Sequence, residues 1–218
     1  MKKIRWKIAQ AAEIRWWQGY LKNKSTEEYL AWKLSYWRTF LQKIGVQLKA
    51  QSQVLDVGCG PAGIYMALED CQVTALDPLL NEYESKLAHF EQSMYPHVRF
   101  VDSPFEDFAE KKAYETVFSI NAINHVDDLD LCFDKIVNLT KSGGQLVVSI
   151  DAHNYSAFKH LFRLLPGDIL HPHQYDLHEY SEMLTSRGCT IERTICYKRE
   201  FFFDYYVLVC RKGSLRSL

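Results

Sequence analysis

Residues 54–63 form the stretch Val-Leu-Asp-Val-Gly-Cys-Gly-Pro-Ala-Gly, which decides the fold. It is typical of a buried strand that enters a tight turn and then a helix. Gly58 and Gly60 can adopt backbone angles closed to other residues, and they remove side chains where a ligand must approach. The first amides of a following helix would add a slightly positive edge. In open α/β sheets, ligands bind beyond the carboxyl ends of the strands, so we predict a cofactor site at this turn.

The glycine spacing alone leaves two cofactor classes open. With Gly63 the turn also satisfies the G-x-G-x-x-G order of dinucleotide-binding proteins. Asp56, at the strand end, would repel a pyrophosphate and suits a ligand that carries a cationic amino group. Asp77 ends the next predicted strand about twenty residues past the turn, where a carboxylate can accept bonds from two ribose hydroxyls. The Asp77-Pro78 pair is also typical of a simple turn.

Short apolar runs alternate with helical segments from residue 54 onward. The predicted strands are 53–57, 72–76, 98–101, 116–120, 145–150, 190–196 and 203–210. The predicted helices are 62–70, 79–93, 129–140, 155–165 and 177–187. This alternation predicts a Rossmann-like three-layer α/β sandwich around a seven-stranded, mostly parallel sheet. The last two strands have no room for a helix between them, so they are predicted to form an antiparallel C-terminal hairpin.

We predict a single domain, with residues 1–48 as a helical lid and residues 49–212 as the core, which has a cap insertion near 152–176. The N-terminal part comprises two aromatic-rich helices, and the Ser25–Glu28 spacing of a capping box starts the second near Thr26. Apolar residues then recur at helical spacing, namely Leu30, Leu34, Trp37, Leu41 and Ile44. These helices either pack on the sheet or cover a small substrate, and one helix can do both. Asp176 and Glu179 predict a second capping box after the insertion.

Composition excludes several function classes. The 218 residues carry a formal net charge of −1 without a basic stripe, so we expect no nucleic-acid partner. The six cysteines show neither a C-x-x-C pair nor metal-ligand spacing, which predicts free thiols and no metal site. No apolar run approaches the ~20 residues of a transmembrane segment. We therefore predict a cytoplasmic protein.

The segment Asp-Val-Gly-Cys-Gly-Pro-Ala-Gly at 56–63 resembles motif I of class I S-adenosylmethionine-dependent methyltransferases, whose order of strands and helices residues 50–212 follow. The resemblance implies that Gly58 and Gly60 lie against the methionine part of S-adenosylmethionine and that Asp56 helps to orient it. It also implies that Asp77 and Pro78 contact the ribose of the cofactor. An acid at the position of Asp77 also fits a dinucleotide site. The ordered series of motifs therefore favours S-adenosylmethionine more strongly than any single motif does.

Further positions match the same family. Asp102 and Ser103, after the third strand, would contact the adenine through the carboxylate and the following amide. The stretch 116–126, which includes Asn121, resembles motif IV, and the stretch 141–148 resembles motif V. The resemblance therefore implies S-adenosylmethionine as the cofactor and S-adenosylhomocysteine as the product.

The methyl acceptor is less well determined. Methyl transfer needs alignment and exclusion of water, and it needs a base only when the nucleophile arrives protonated. His125 is the candidate catalytic base, because its ordinary pKa near ~6.5 suits proton removal at neutral pH. In some small-molecule members of the family that this sequence resembles, such as phosphoethanolamine methyltransferases, a histidine at this point of motif IV pairs with a lid tyrosine. Tyr20, Tyr29 and Tyr36 are available here. A structural role for His125 stays open.

We predict that a small molecule is bound by Tyr20 and Trp37 from the N-terminal helices and by His171 and His173 from the cap loop. The exposed aromatics could instead face a cation, a lipid surface or a second subunit, and a homodimer is compatible with them. The predicted activity is methyl transfer from S-adenosylmethionine to an oxygen or nitrogen of this molecule. The alternatives are a protein that binds S-adenosylmethionine without transferring its methyl group and, less favoured, a nicotinamide-dependent oxidoreductase.

Overall fold

The computed structural model describes residues 2–153, 175–199 and 203–214. Its helices are α1 (Lys2–Leu21), α2 (Thr26–Ile44), α3 (Leu80–Lys86), α4 (Leu129–Leu139) and α5 (Leu177–Thr185). Its strands are β1 (Gln53–Val57), β2 (Gln72–Asp77), β3 (Val98–Asp102), β4 (Tyr114–Ser119), β5 (Thr140–His153), β6 (Cys189–Arg199) and β7 (Phe203–Lys212). Single 3-10 turns occur at Ile64–Ala67, Gln92–Met94 and Ile123–His125. No helix within these ranges is both long and apolar enough to cross a membrane.

The strands form one seven-stranded sheet in the order β3-β2-β1-β4-β5-β7-β6. The first five strands are parallel, and β7 runs antiparallel between β5 and β6. The predicted mostly parallel sheet and its C-terminal hairpin are therefore confirmed. The chain leaves β1 towards β2 on one side and returns to β4 on the other, so the carboxyl ends of β1 and β4 border the crevice at the switch point.

Side chains alternate between two cores, one on each face of the sheet. Val54 and Val147 belong to the first core, together with residues of α1, α2 and α3. Leu55 and Leu146 belong to the second core, together with residues of α4 and α5. This gives the three predicted layers, and it places Asp56 on the same face as Val54, towards α2.

Helix α2 is part of the first core. Its buried side chains are Tyr29, Trp37, Phe40 and Ile44. Ser25 caps its start by accepting a bond from the Glu28 amide at 3.5 Å, and Gly45 ends it with a φ of 64°. The predicted start at Thr26 is therefore confirmed. The capping box at Asp176 and Glu179 is complete, with both reciprocal bonds formed.

Two predicted helices are wrong in extent. After the glycine turn, the expected helix 62–70 is a single 3-10 turn, Ile64–Ala67, because α2 occupies that face of the sheet: the Trp37 indole nitrogen donates to the carbonyl oxygen of Ala62 at 2.9 Å. The expected helix 79–93 stops at Lys86, where the chain becomes extended and Phe90 packs into the core. The predicted helix 155–165 lies outside the described residues, as does most of the predicted cap.

Candidate functional site

The glycine turn contacts the loop after β4. Gly58 has a φ of 68°, and a Cβ atom on it would lie 2.3 Å from the Cβ of Ala122. Gly60 has a φ of 58°, and a Cβ atom there would have no neighbour within 4 Å. Gly58 is thus required for packing of the turn against the loop, whereas Gly60 leaves open space above the carboxyl end of β1.

Gly63, the third glycine, packs against the inner side of the turn. A Cβ atom on Gly63 would lie 2.4 Å from the carbonyl oxygen of Cys59 and 2.8 Å from Oδ2 of Asp56. Because a single 3-10 turn and no α-helix begins after Gly63, the predicted positive edge from an α-helix N-terminus is absent from this turn. The polar character of the site therefore comes from side chains and single backbone amides.

Asp56 is a buried carboxylate beneath the turn, with 2% of its surface exposed. Its Oδ2 accepts a bond from the Tyr65 amide at 3.4 Å. Burial raises the pKa of Asp56 to about 7, and the nearby Asp77 carboxylate also raises it. No cation among the described residues pairs with Asp56, so its ionised form creates a negative potential that suits a cationic ligand.

Asp77 connects the end of β2 to the turn. Its Oδ2 accepts a bond from the Gly60 amide at 3.0 Å, and its Oδ1 accepts one from the Leu79 amide at 2.9 Å. Burial raises the pKa of Asp77 to about 7, with the Glu13 carboxylate as the second cause. Pro78, between Asp77 and Leu79 in the chain, has no N–H of its own. The carboxylate is therefore fixed at the switch point with lone pairs left for a ligand.

Helix α1 also reaches this place. Glu13 accepts a hydrogen bond from the Tyr83 hydroxyl of α3 at 2.7 Å, in addition to its effect on Asp77. Sequence reasoning missed both residues. A signal was present, since Glu13 is the sole acid between residues 2 and 24, a stretch otherwise basic or uncharged.

The predicted adenine residues lie at the end of β3. Asp102 pairs in register with Asp77, so the two carboxylates end adjacent strands. Asp102 is exposed and accepts a bond from the Asn81 amide at 3.2 Å. The Ser103 hydroxyl donates to the carbonyl oxygen of Pro104 at 3.0 Å, which leaves its backbone amide as the group that a ligand could use.

Asn121 follows β4 in a left-handed conformation, with a φ of 54°. Its amide donates to the hydroxyl oxygen of Ser149 at 2.7 Å, and the Tyr205 hydroxyl lies 2.6 Å from the same oxygen. Ser149 is fully buried. Sequence reasoning missed Ser149 and Tyr205, which connect the loop after β4 to β5 and β7.

The predicted catalytic and substrate residues that the structure describes lie on different elements. His125 is exposed at the end of the 3-10 turn that follows β4. Tyr20 is 37% exposed and stacks on Trp16, with ring centroids 5.0 Å apart. Trp37 is buried and bonded to the turn, as described above. His171 and His173 lie outside the described residues.

Comparison with known proteins identifies the fold and the family. The sequence profile of the methyltransferase domain family matches residues 28–194. The chain belongs to this family. The predicted class I, S-adenosylmethionine-dependent methyltransferase is thereby confirmed.

The sequence relatives of this methyltransferase include the ubiquinone biosynthesis O-methyltransferase of Rickettsia typhi, which is 24% identical over 176 residues and aligned over 78% of this chain and 68% of its own. Other enzymes of that name align over as little as 34% of their length.

Two solved structures share the fold. Phosphoethanolamine N-methyltransferase 2 of Haemonchus contortus, in complex with S-adenosyl-L-methionine, has a TM-score of 0.66 at 14% identity, and the match covers 91% of this chain and 60% of the other. The Burkholderia thailandensis 1,6-didemethyltoxoflavin-N1-methyltransferase, with its acceptor and S-adenosylhomocysteine bound, has a TM-score of 0.60 at 15% identity, over 97% and 88% of the two chains.

Asp56→Asn is expected to change stability and cofactor affinity in opposite directions. The substitution removes a buried charge and keeps an acceptor for the Tyr65 amide, so the free energy of unfolding at pH 8 should rise by about 1–3 kcal/mol. Affinity for S-adenosylmethionine should fall, because the amide cannot neutralise a cation. Urea titration and calorimetry measure the two effects, and exposed Asp70→Asn is the control. Lower stability of Asp56→Asn would contradict the assignment.

The same carboxyls set a pH dependence. The pKa values of Asp56 and Asp77 are about 7 in the folded chain, against about 4 when unfolded. Between about pH 4 and pH 7 the folded chain binds more protons than the unfolded chain. The two carboxyl groups therefore make the free energy of unfolding fall as the pH rises from about 4 to 7. Affinity for the cationic cofactor should rise over the same interval.

Proposed function

We propose that this methyltransferase binds S-adenosylmethionine at the glycine turn and transfers its methyl group to an oxygen or nitrogen of a small molecule. The observation that carries the proposal is the pair of buried carboxylates, Asp56 and Asp77, below the open side of Gly60. Asp56 disfavours a pyrophosphate, and the pair suits a ligand with an ammonium and a sulfonium group. The acidic pair therefore argues against a nicotinamide cofactor, although the glycine spacing alone is compatible with one.

The residues present fit the cofactor. Asp77 would accept bonds from the ribose hydroxyls next to Pro78, and Asp56 would stabilise the ammonium. Asp102 and the Ser103 amide would meet the adenine, and Asn121 would border the methionine part with Gly58. When bound, S-adenosylmethionine supplies a methyl group on a positively charged sulfur. The protein contributes alignment and a crevice that excludes water.

Calorimetry with S-adenosylhomocysteine tests the cofactor, and transfer of radiolabel from S-adenosylmethionine to phenol and amine libraries tests the reaction. Binding without transfer to any acceptor would favour the non-catalytic alternative. Enhanced fluorescence of a reduced nicotinamide cofactor on mixing would favour the oxidoreductase. A small-molecule acceptor is supported by the names of the relatives, and an oxygen acceptor by those of ubiquinone biosynthesis. The cytoplasmic location and the homodimer stay predictions.

His125→Ala is expected to lower turnover of a phenolic acceptor by roughly 10²- to 10⁴-fold, because a phenol must lose its proton during transfer. Affinity for S-adenosylhomocysteine should stay within about twofold, since His125 is not among the residues proposed to hold the cofactor. His178→Ala, at an exposed position of α5, is the matched control. Unchanged turnover in His125→Ala would leave that residue only a structural role.

A further inference from the structure

Lys33 interrupts the buried face of α2. Tyr29, Trp37 and Phe40 form that face, and Lys33 lies between them at helical spacing. Its side chain is half-buried, and its ammonium nitrogen lies 5.3 Å from the ring centroid of Trp37 and 5.4 Å from that of Tyr36. Within the described ranges, no carboxylate forms an ion pair with it. A charge on the core side of a helix that contacts aromatic rings but no described carboxylate is unusual, and its N–H groups can donate to an anionic ligand.

The contacts of α2 show which part of the sheet Lys33 overlies. At the C-terminal end of the helix, the carbonyl oxygen of Gly45 accepts a bond from Arg193, near the middle of β6. Phe40, further back, contacts Tyr197 near the carboxyl end of that strand, with ring centroids 5.2 Å apart. Tyr36, near Lys33 on α2, also interacts with Tyr197, so this side of the helix faces the carboxyl end of β6. Leu30 and Leu34, on another side of α2, line a cavity with His97, just before β3.

The neighbours of Lys33 mark the two walls of the crevice. Trp37 is bonded to the turn after β1, on the cofactor side. Tyr36 lies close enough to Tyr205 of β7 to affect its ionisation, on the side of Ser149. The ammonium is thus placed above the crevice between the glycine turn and the β5–β7 wall, among aromatic rings.

The electrostatics of the position favour an anionic ligand. Burial lowers the pKa of the Lys33 ammonium to about 8, which shows that no nearby carboxylate compensates for its lost hydration. An anion bound against this nitrogen would gain a charge-assisted hydrogen bond in a partly dehydrated space. The flanking rings would stack on a flat ligand.

We propose that Lys33 binds the carboxylate of an aromatic acceptor, so that this methyltransferase acts on aromatic acids. The inference rests on the proposed function and names the class of its acceptor. It adds a specificity residue on α2 to the cofactor site at the strand ends.

The test compares matched probes on protein saturated with S-adenosylhomocysteine. Calorimetry measures binding of 4-hydroxybenzoate and 3,4-dihydroxybenzoate, and of their neutral amides. We expect at least one acid to bind roughly ten- to a hundredfold more tightly than its amide. Lys33→Met should abolish that preference, and Lys33→Arg should keep most of it. Lys43→Met, the same change at an exposed position of α2, should leave it intact.

Equal binding of acids and amides, or absence of binding by both, would overturn the proposal. It is also overturned if Lys33→Met weakens S-adenosylhomocysteine but not 5′-methylthioadenosine, because Lys33 would then bind the carboxylate of the cofactor. Binding of S-adenosylhomocysteine to the unaltered protein is measured first. Its failure counts against the proposed function itself, which separates the two conclusions.

Discussion

Asp77→Ala is expected to weaken binding of S-adenosylhomocysteine by roughly a hundredfold or more. The carboxylate is fixed by the Gly60 and Leu79 amides, so both of its oxygens are preoriented for two ribose hydroxyls. Hydrogen bonds to a charged group contribute about 1.5–3 kcal/mol each, which converts two of them into this loss. Isothermal titration calorimetry measures the affinity.

The control for this variant comes from the other end of the same strand. Asp70 is exposed before β2 begins, and Asp70→Ala should bind S-adenosylhomocysteine normally. Asp77→Ala should remain folded, because loss of the two amide bonds is partly offset by removal of a buried charge; thermal unfolding verifies this. A folded Asp77→Ala protein with unaltered affinity would refute the ribose assignment.

Gly58→Ala is expected to lower the free energy of unfolding by about 3 kcal/mol or more, and Tm by roughly 6–12 °C. A left-handed conformation costs a residue with a side chain about 1–2 kcal/mol, and the new methyl group would lie 2.3 Å from the Cβ of Ala122. The turn and the loop after β4 would have to separate, so cofactor binding should fall as well.

Two further variants separate the cost of the left-handed conformation from the cost of the clash with Ala122. Gly188→Ala has a similar backbone conformation, with a φ of 78°, but no atom within 4 Å of the new Cβ, so it should show only the conformational cost. Adding Ala122→Gly to Gly58→Ala removes the clashing methyl group and leaves the Cα of residue 122 at 3.5 Å. The double variant should therefore recover the part of the loss due to the clash. No recovery would show that the loop does not limit the turn.

The sheet could be predicted from the sequence because its signals are local. Each strand is a short apolar run, and the C-terminal hairpin follows from the lack of room for a helix. The length of the helix after the glycine turn could not be predicted from such local signals. Whether residues 62–70 complete a helix depends on which element covers that face, and Trp37 of α2, 25 residues earlier in the chain, supplies the answer.

The residues of the site also fall into those that local sequence signals locate and those that only the fold brings together. Asp56 and Asp77 could be located because strand ends place them, and the family motif explains their acidity. Glu13 and Tyr83 are 70 residues apart, and Ser149 and Tyr205 are 56 apart, so only the folded chain brings each pair together. Lys33 is an intermediate case. A lysine within an apolar helical face is visible in the sequence, but only the structure shows that no described carboxylate pairs with it.

The two N-terminal helices differ in how firmly they are held. Phe40 and Ile44 of α2 have no exposed surface, and Trp37 is bonded to the turn, so displacing α2 would dismantle one layer of the sandwich. The described side chains of α1 include only Ile14 and Leu21 in the core, and the polar contact of Glu13 with Tyr83. Local opening is easiest where buried apolar contacts are fewest. Ligands should therefore enter and leave by detachment of α1, while α2 stays in place and keeps the crevice shaped between turnovers.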